Sequence, residues 1–564
     1  MNDVEQAKRL FFTGVDLLDA HDYQNAEQSL REAMQLVPDN PSILINLALA
    51  LSEQDKPSEA CKFAEQAIAV NPKNADAHFL LAENFAKERR HADAARAYAR
   101  LIELIPDAPF AKGYMLHQKM LCCDWSNFSG EVESINKDTR EGKRSAEPFG
   151  YQAVATSPLD LKTCAQRFAA ENFPQPAARP TQYGPFPDDR IHIGYLCGEF
   201  RSQATSTLMA ELFELHDKRR FKVLAFDSGW DDGSELRQRM NRAFDAIVDI
   251  SRVRDAAAAE LIRRNQIAIL VNLNGYFGKG RMGVFAQKPA PIQVNYLGFP
   301  GTLGASYIDY IIADAHVIPR EHQDCYVEKV IYLPDSYQVN DTKRPIAART
   351  PSRMEAKLPP TGLVLCCFNN PYKIVPDVFD VWMRLLTKIE GSVLWLFERN
   401  AEAPRNLRME AGRRGVDPER LVFASPINLP DHLARHRLAD VFLDTLPYNA
   451  HTTASDALWA GLPLITCCGE AFAGRVAASL LTAVGLPELV THSLDDYEAL
   501  ALKLATDAPL LKSIRQKLEH NRPTCALFDA NRFRAHLEAA YTTMWDLYRC
   551  GESPRSFSVA PQAV

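Results

Sequence analysis

Small and apolar positions recur with a fixed period over residues 7 to about 110. Ala26, Ala60 and Ala94 share one phase, and Gly14, Ala48 and Ala82 share another. Pro38, Pro72 and Pro106 close similar phrases, LVPDN, VNPKN and LIPDA, at a spacing of 34 residues. Small residues are needed where the two helices of one hairpin pack closely, and proline stops the second helix from continuing. The pattern predicts three helical hairpins, with AKGYMLHQKMLCC after Phe110 as a further helix that seals the stack. From about 130 to 185 the regularity fades, and the Pro-rich FPQPAARPTQYGPFPDD reads as a connector.

After Arg190 the rhythm changes to short β-rich runs separated by longer helical stretches. RIHIGYL, FKVLAF, AIVDI, IAILV, IQVNYL, DYIIAD and KVIYL are strand candidates. Their hydrophobicity is continuous rather than alternating, as expected of parallel strands covered on both faces. A turn-rich basic stretch from about 334 to 360 separates this half from a second one, whose strands are LVLCCF, SVLWLF, LVF, ADVFLD and PLIT. The chain therefore reads as two α/β units of about 170 residues each, followed by a helix from about Ala530 to Arg549. That helix places Phe533, Leu537, Tyr541, Met544 and Tyr548 on one stripe, so it should pack on the body of the protein. The tail ESPRSFSVAPQAV reads as disordered.

A 34-residue period with these small residues is the tetratricopeptide signature. Such solenoids expose a concave face suited to a peptide or protein, although repeats can also simply brace the rest of a chain. The length, 564 residues, gives room for about three to five domains. Apolar residues at 46% and charged residues at 24% are ordinary for a globular protein, which argues against wholesale disorder or a fibrous chain. Lys plus Arg is 64 against Asp plus Glu at 71, so nucleic-acid backbone is not an expected partner. The 12 cysteines include the adjacent pairs Cys122–Cys123, Cys366–Cys367 and Cys467–Cys468 but no C-x-x-C, so they read as small buried hydrophobes in a reducing compartment. No secretory signal or membrane-spanning run is visible, which makes a cytoplasmic location the expectation.

The sequence has no P-loop, no H-E-x-x-H and no G-x-S-x-G; Gly298, Gly301 and Gly304 do not match the dinucleotide fingerprint. Asp231–Asp232 and the pair Asp309 and Asp314 admit a metal reading, but acids at strand ends are more often caps, and no metal is expected. The strongest constellation is ADVFLDTLPYNAHTTASDALWAGLPLIT. A buried strand runs into a polar turn, and His451, Thr452 and Thr453 then open an apolar helix. A helix start offers unpaired N–H groups and a positive dipole end, so it can receive phosphate, and the two threonine hydroxyls and the imidazole add donors there. Asp456 lies one turn further on, where it can accept from a sugar hydroxyl. Taken singly, Thr452 or Thr453 is an ordinary N-cap and Asp456 a dipole partner; the cluster as a whole favours an anion site. After LVLCCF comes Asn369-Asn370-Pro371-Tyr372-Lys373, where Lys373 can offset charge on a leaving phosphate. A lone lysine is usually just solvated, but this one stands at a strand end in the same half. His432 and Arg435, one turn apart, can reach a base or ribose or can be plain surface charge.

The repeats, NGY, APIQVNYLGFPGTLGASYIDYIIAD, CCFNNPYKI, SVLWLF and the ADVFLD…LIT segment together resemble the O-linked N-acetylglucosamine transferases and their bacterial relatives, over about residues 190 to 545. The resemblance implies a tetratricopeptide solenoid followed by an α/β GT-B fold, two Rossmann-like domains with a cleft between them. It implies domains at 1–120 (repeats), 121–185 (connector), 186–355 (acceptor-side catalytic domain) and 356–530 (UDP-sugar-binding domain), then a packing helix at 531–550 and a flexible tail at 551–564. It further implies an inverting, metal-independent transfer from a UDP-sugar, most often UDP-N-acetylglucosamine, to Ser or Thr of a protein, with no cofactor. By position it places Asn370 and Lys373 on the diphosphate, His451, Thr452 and Thr453 on phosphates and sugar, Asp456 on the ribose, His432 and Arg435 near the uracil, and Leu297 and Gly298 along the sugar pocket. Lys373, His451 and Gln203 are the candidate catalytic residues.

One departure matters. In GYLCGEFRSQATSTLM, relatives place a histidine where this chain has Gln203, and Asn265 stands where some animal members carry aspartate. A neutral glutamine cannot deprotonate a hydroxyl, though it can position sugar or acceptor. A donor phosphate oxygen then takes the proton, or the sugar or acceptor differs (glucose, an asparagine nitrogen), or the body is a degenerate scaffold for a repeat-based binding protein. His192 is near in sequence but sits within a predicted strand, where a structural role is expected.

Overall fold

The computed structural model describes residues 3–177, 183–186 and 188–562. The chain separates into two compact units, one of residues 1–150 with 400–406 and one of residues 151–399 with 407–564.

In the first unit, helices Asp3–Asp19, Tyr23–Leu36, Pro41–Glu53, Pro57–Val70, Ala75–Lys87 and His91–Leu104 pack in consecutive pairs. The periodic small residues lie between them: Ala26, Ala48, Ala60, Ala82 and Ala94 are fully buried. A Cβ at Gly14 would come within 2.6 Å of Leu30 Cγ, so the first repeat has no space for even a methyl group there. Asn40 and Asn74 cap the first helix of the second and third pairs, each accepting backbone N–H bonds through its side chain. Each second helix ends two residues before Pro38, Pro72 or Pro106. Helix Ala111–Leu121 closes the stack, with Tyr114 stacked on Tyr98 at 5.7 Å between centroids.

The stretch expected to be an irregular connector carries helices instead, Phe128–Arg140 and Pro158–Asn172. The second starts on Ser157, whose Oγ accepts from Asp160 N, with Pro158 in the first turn. Its buried positions are mostly small, Cys164, Ala165 and Ala169, so no long apolar stripe announces it. Part of the Pro-rich connector, residues 178–182 and 187, lies outside the described residues.

The second unit holds two parallel sheets. The strands of the first are β1 (Ile191–Cys197), β2 (Phe221–Asp227), β3 (Ala246–Asp249), β4 (Ile269–Asn272), β5 (Ile292–Asn295), β6 (Tyr310–Asp314) and β7 (Lys329–Leu333). The second contains β8 (Val364–Cys367), β9 (Val393–Phe397), β10 (Leu421–Ala424), β11 (Val441–Leu443), β12 (Leu464–Cys467) and the two-residue β13 (Val490–Thr491). All predicted strands are present; β13 is too short to show as an apolar run. Every residue of β1, β4, β5 and β6 is buried, which is why these segments read as continuous rather than alternating. The order of the second sheet is β10-β9-β8-β11-β12-β13, so the chain reverses direction across the sheet between β8 and β11. Ligands bind beyond the carboxyl ends of the strands at such a switch point.

Helix Ala530–Arg549 returns to the first half, packing on β5, β7 and helix Ala204–Leu215. Tyr541 meets Tyr195 hydroxyl to hydroxyl at 3.1 Å, and Glu538 Oε1 receives His216 Nδ1 at 3.0 Å. The expected flexible tail is corrected by the structure. Phe557–Ser558 forms β14, parallel to β7 at the edge of the first sheet, giving the order β14-β7-β6-β5-β4-β1-β2-β3. Ser556 Oγ accepts from Val330 N at 2.9 Å and Val559 is buried. A two-residue strand has no periodicity, so its partner edge alone reveals it. Among the described residues no helix is long and apolar enough to cross a membrane.

Candidate functional site

The neighbouring strands β8 and β11 end side by side, with Leu365 and Cys366 paired to Val441 and Phe442. The chain leaving β11 turns at Asp444. Its carboxylate accepts from Thr445 N (2.7 Å), Ala450 N (2.6 Å) and Thr466 Oγ1 (2.7 Å), which folds residues 445–450 into a tight loop. That loop delivers His451 to the position just before helix Thr452–Trp459. From β8, Asn369 donates to Thr445 Oγ1 at 2.8 Å and accepts from Thr453 Oγ1, so the two loops are tied together at the helix start.

Lys373 stands on the turn Pro371–Lys373, buried, with Nζ donating to Asn449 O at 2.8 Å and 4.0 Å above the Tyr448 ring. Burial brings its amine down to about 7, opposed by the nearby Asp444 carboxylate. Burial pushes Asp444 up to about 6 in turn. The amine is thus held desolvated and close to its titration point, a state that a bound polyanion would convert to full ammonium. Asn370 presents a buried Oδ1 with no hydrogen-bond partner beside it.

His451 lies 4.8 Å from the Tyr448 ring, and its Nε2 meets Ala473 O at 3.0 Å. A carbonyl only accepts, so Nε2 carries the proton, and the neutral ring offers Nδ1 as an acceptor. Burial and the neighbouring Lys373 both hold its pKa well below the ordinary imidazole range. The expected imidazole donor toward phosphate is therefore an acceptor in this structure, suited to a sugar hydroxyl or amide N–H. Thr452 and Thr453 are half-buried at the helix start. Asp456 is buried, but not vacant for a ligand at both oxygens: Arg344 Nη1 donates to its Oδ1 at 2.6 Å.

Helix Leu429–Arg435 brings His432 and Arg435 to the same edge of the sheet. The Arg435 guanidinium lies 5.1 Å from the Phe368 ring and 5.5 Å from Phe397, and donates to Ser425 O at 2.8 Å and to His432 Nδ1. This is not surface charge: burial lowers Arg435 to about 10 and His432 to about 2. His432 is neutral, its Nδ1 is occupied, and its Nε2–H remains as a donor beside two aromatic rings.

In the first half the ligand-facing loops are built from glycine and asparagine. A Cβ at Gly298 would lie 1.9 Å from Leu273 O, so the loop after β5 presses directly on the one after β4. Leu297 takes a left-handed φ of 67° to enter that contact. Gln203 is exposed at the start of helix Ala204–Leu215, without a side-chain capping bond. Asn265 ends helix Asp255–Arg264, donating to Leu261 O at 2.8 Å, and precedes β4. It therefore sits at the amino ends of the strands, away from Gln203, together with His192, whose Nδ1 faces Asn265 O at 3.2 Å. The acids open to a metal reading have other partners: Asp309 pairs with Lys288 at 2.5 Å, and Asp314 accepts from Ser479 Oγ at 2.6 Å and Tyr337 N at 2.7 Å.

The structure thus gathers Asn370, Lys373, His432, Arg435, His451, Thr452, Thr453 and Asp456 at one edge of the second sheet. Leu297, Gly298 and Gln203 occupy the corresponding edge of the first. Sequence reasoning missed Asp444, Tyr448 and Arg344. Asp444 closes the strand ADVFLD, and an acid at that point is a signal of loop shaping; nothing in sequence marks Arg344, which lies 112 positions from its partner.

The pattern of glycosyl transferase family 41 matches residues 174–350 and 344–537. The chain belongs to glycosyl transferase family 41. Tetratricopeptide patterns match residues 17–64 and 46–109. A probable UDP-N-acetylglucosamine–peptide N-acetylglucosaminyltransferase SEC of Arabidopsis thaliana is 36% identical over 468 residues, covering 79% of this chain and 48% of the relative. A UDP-N-acetylglucosamine–peptide N-acetylglucosaminyltransferase of Caenorhabditis elegans is 29% identical over 474 residues, covering 64% and 41%. This family 41 chain spans about half the length of the curated relatives it matches. Among solved structures, a mutant O-GlcNAc transferase of Thermobaculum terrenum superposes with a TM-score of 0.72 at 27% identity, covering 98% of this chain and 99% of the other. The family 41 fold, two Rossmann-like halves in GT-B arrangement behind a tetratricopeptide region, accounts for both sheets and the returning C-terminal helix.

Proposed function

We propose that this chain transfers a sugar, N-acetylglucosamine in the first instance, from its UDP donor to a Ser or Thr hydroxyl of a protein, with inversion and without a metal ion. The observation that carries the reading is the buried Lys373, held over Tyr448 beside a helix start at Thr452 and Thr453. A desolvated amine next to unpaired N–H groups suits the charge that develops on departing UDP. Each such interaction contributes about 2–4 kcal/mol to leaving-group stabilisation. The names of the matched relatives support the choice of donor and of a protein acceptor.

In this reading the diphosphate lies on Lys373, Asn370 and the helix start. His432 and Arg435 flank the uracil, and Asp456 accepts from the ribose. The acceptor oxygen bonds to the anomeric carbon as the carbon–diphosphate oxygen bond breaks; UDP leaves with the bonding electron pair. The hydroxyl proton passes to a phosphate oxygen of the donor, since Gln203 cannot take it and Asn265 lies at the far edge of the sheet. The helical repeats dock the acceptor protein.

Intact mass of candidate acceptor proteins, incubated with the enzyme and UDP-N-acetylglucosamine or UDP-glucose, tests the proposal. A gain of one N-acetylhexosamine that is abolished in Lys373→Ala supports it. Gain only with UDP-glucose replaces the sugar assignment, fragmentation placing the sugar on asparagine replaces the acceptor, and absence of UDP binding in titration overturns the enzymatic reading.

A further inference from the structure

The carboxylate expected to meet the donor ribose has a companion that sequence alone does not indicate. Arg344 and Asp456 form a 2.6 Å ion pair whose side chains are 2% and 7% exposed. Arg344 belongs to neither sheet; it lies on the linker between β7 and β8. Its Nε donates to Asp341 O at 3.0 Å and its Nη2 to Asn340 Oδ1 at 3.3 Å, which fixes the guanidinium on the linker side. Its own carbonyl accepts from Trp459 Nε1 at 3.2 Å, at the far end of the helix that Asp456 sits on. Arg344 therefore grips that helix at two points. The other linker contact to it, Gln338 Nε2 to Ser455 Oγ at 2.6 Å, is neutral, and Arg522 is directed to the Trp459 carbonyl at 2.8 Å. Arg344 is thus the charged group directed at Asp456. The pair engages Oδ1 only; Oδ2 carries no hydrogen bond among the described residues.

A buried carboxylate without a counter-charge takes up a proton and becomes a donor on one oxygen. A guanidinium anchored through its remaining N–H groups favours the ionised carboxylate and fixes its plane; burial raises the Asp456 pKa, and Arg344 opposes that rise. We infer that Arg344 is a positioning residue for the donor: it orients Asp456, and favours its ionised form, so that Oδ2 accepts from a ribose hydroxyl. This rests on the donor-binding reading given above. It goes beyond that reading in assigning nucleotide recognition to a residue of the linker that touches no ligand. It also explains why a charge is buried between the linker and the helix, where an apolar contact would staple the two equally well.

The test is titration of the full chain with UDP, 2′-deoxy-UDP and 3′-deoxy-UDP. In the unaltered protein at least one deoxy analogue should bind about ten- to a hundredfold more weakly than UDP, the range for a hydrogen bond to a charged group. Arg344→Met should bring UDP affinity down to that of the analogue, leaving the ratio within about threefold. Arg344→Lys should keep most of the preference. Asp456→Asn should abolish it as well, and adding Arg344→Met to Asp456→Asn should change the ratio no further. A purely structural staple would weaken UDP and both analogues by one common factor and leave the ratio intact, which would overturn the inference. So would an unaltered protein that binds all three nucleotides equally. Failure to bind UDP at all would instead overturn the functional reading, and this inference with it. Should Arg344→Met not fold, Arg344→Gln, which keeps polar contacts without the charge, takes its place: loss of the ratio supports the inference, and an intact ratio overturns it.

Discussion

Lys373 makes a prediction that depends on its burial and not only on its charge. An ordinary amine near 10.5 is brought down to about 7 here, which corresponds to about 5 kcal/mol of lost ammonium stability. A diphosphate seated against Nζ restores that stability and raises the pKa in the complex. The sign follows from linkage. Above pH 7 the free protein carries a neutral amine while the complex carries ammonium, so binding takes up a proton and affinity falls as pH rises. Below 7 the amine is already charged and the dependence vanishes, apart from Asp444, which titrates near 6. Between pH 6.5 and 8.5 the affinity for UDP-N-acetylglucosamine should drop by about twentyfold, provided the pKa in the complex exceeds 8.5. This donor is preferable to UDP, because its phosphates do not titrate in the window. Calorimetry at pH 8.5 in two buffers of different ionisation enthalpy should register nearly one proton taken up. Lys373→Met should bind about ten- to a hundredfold more weakly at pH 6.5 and show a flat profile with no proton uptake. An unaltered protein whose affinity is constant across the window, or whose profile matches that of Lys373→Met, would refute the reasoning.

Two further predictions concern the fold. Gly298→Ala should lower the melting temperature and the yield of folded protein, because the added carbon meets a backbone oxygen at 1.9 Å and the strand ends must part to admit it; unchanged melting would mean the loops after β4 and β5 do not touch as described. Glu147 is buried and pushed up to about 7, although it accepts from Gly150 N and Phe149 N. Its folded pKa is raised, so stability is fully present below the unfolded value near 4.5 and is lost as pH rises to about 7. Glu147→Gln keeps an acceptor without the charge and should raise the melting temperature at pH 8, by up to about 3 kcal/mol in stability, but not at pH 4.5; an equal gain at both values would place the effect elsewhere.

Much of this molecule is legible in its sequence. The helical pairs announce themselves because one packing problem, close approach of two helices, is solved at Gly14, Ala48 and Ala82 and again at Ala26, Ala60 and Ala94. Most strands of the two sheets announce themselves because burial on both faces favours unbroken apolar runs; the polar residues among them, such as Gln293 and Asn295, are hydrogen-bonded. The candidate donor-side cluster was legible for a related reason. It comprises two short runs, Asn369 to Lys373 and His451 to Asp456, and each follows a strand that points at the same edge.

Contacts remote in sequence, and the electrostatic state they impose, were settled by the tertiary structure alone. Composition and spacing left His432 and Arg435 open to being surface charge; Phe368 and Phe397, contributed by other strands, enclose them. The helix start suggested an imidazole donor at His451, but its Nε2–H donates to the Ala473 carbonyl, which leaves Nδ1 as an acceptor. The tail looked disordered because two residues have no period, and only the free edge of β7 makes them a strand. Asp456 was marked as a candidate by position, while its partner came from a linker whose sequence shows only turns and basic residues. Local pattern determines which face of a segment is buried, since that depends on near neighbours and a fixed geometric period. Protonation, orientation and pairing depend on which distant groups share the low-dielectric space, and the folded chain alone decides that.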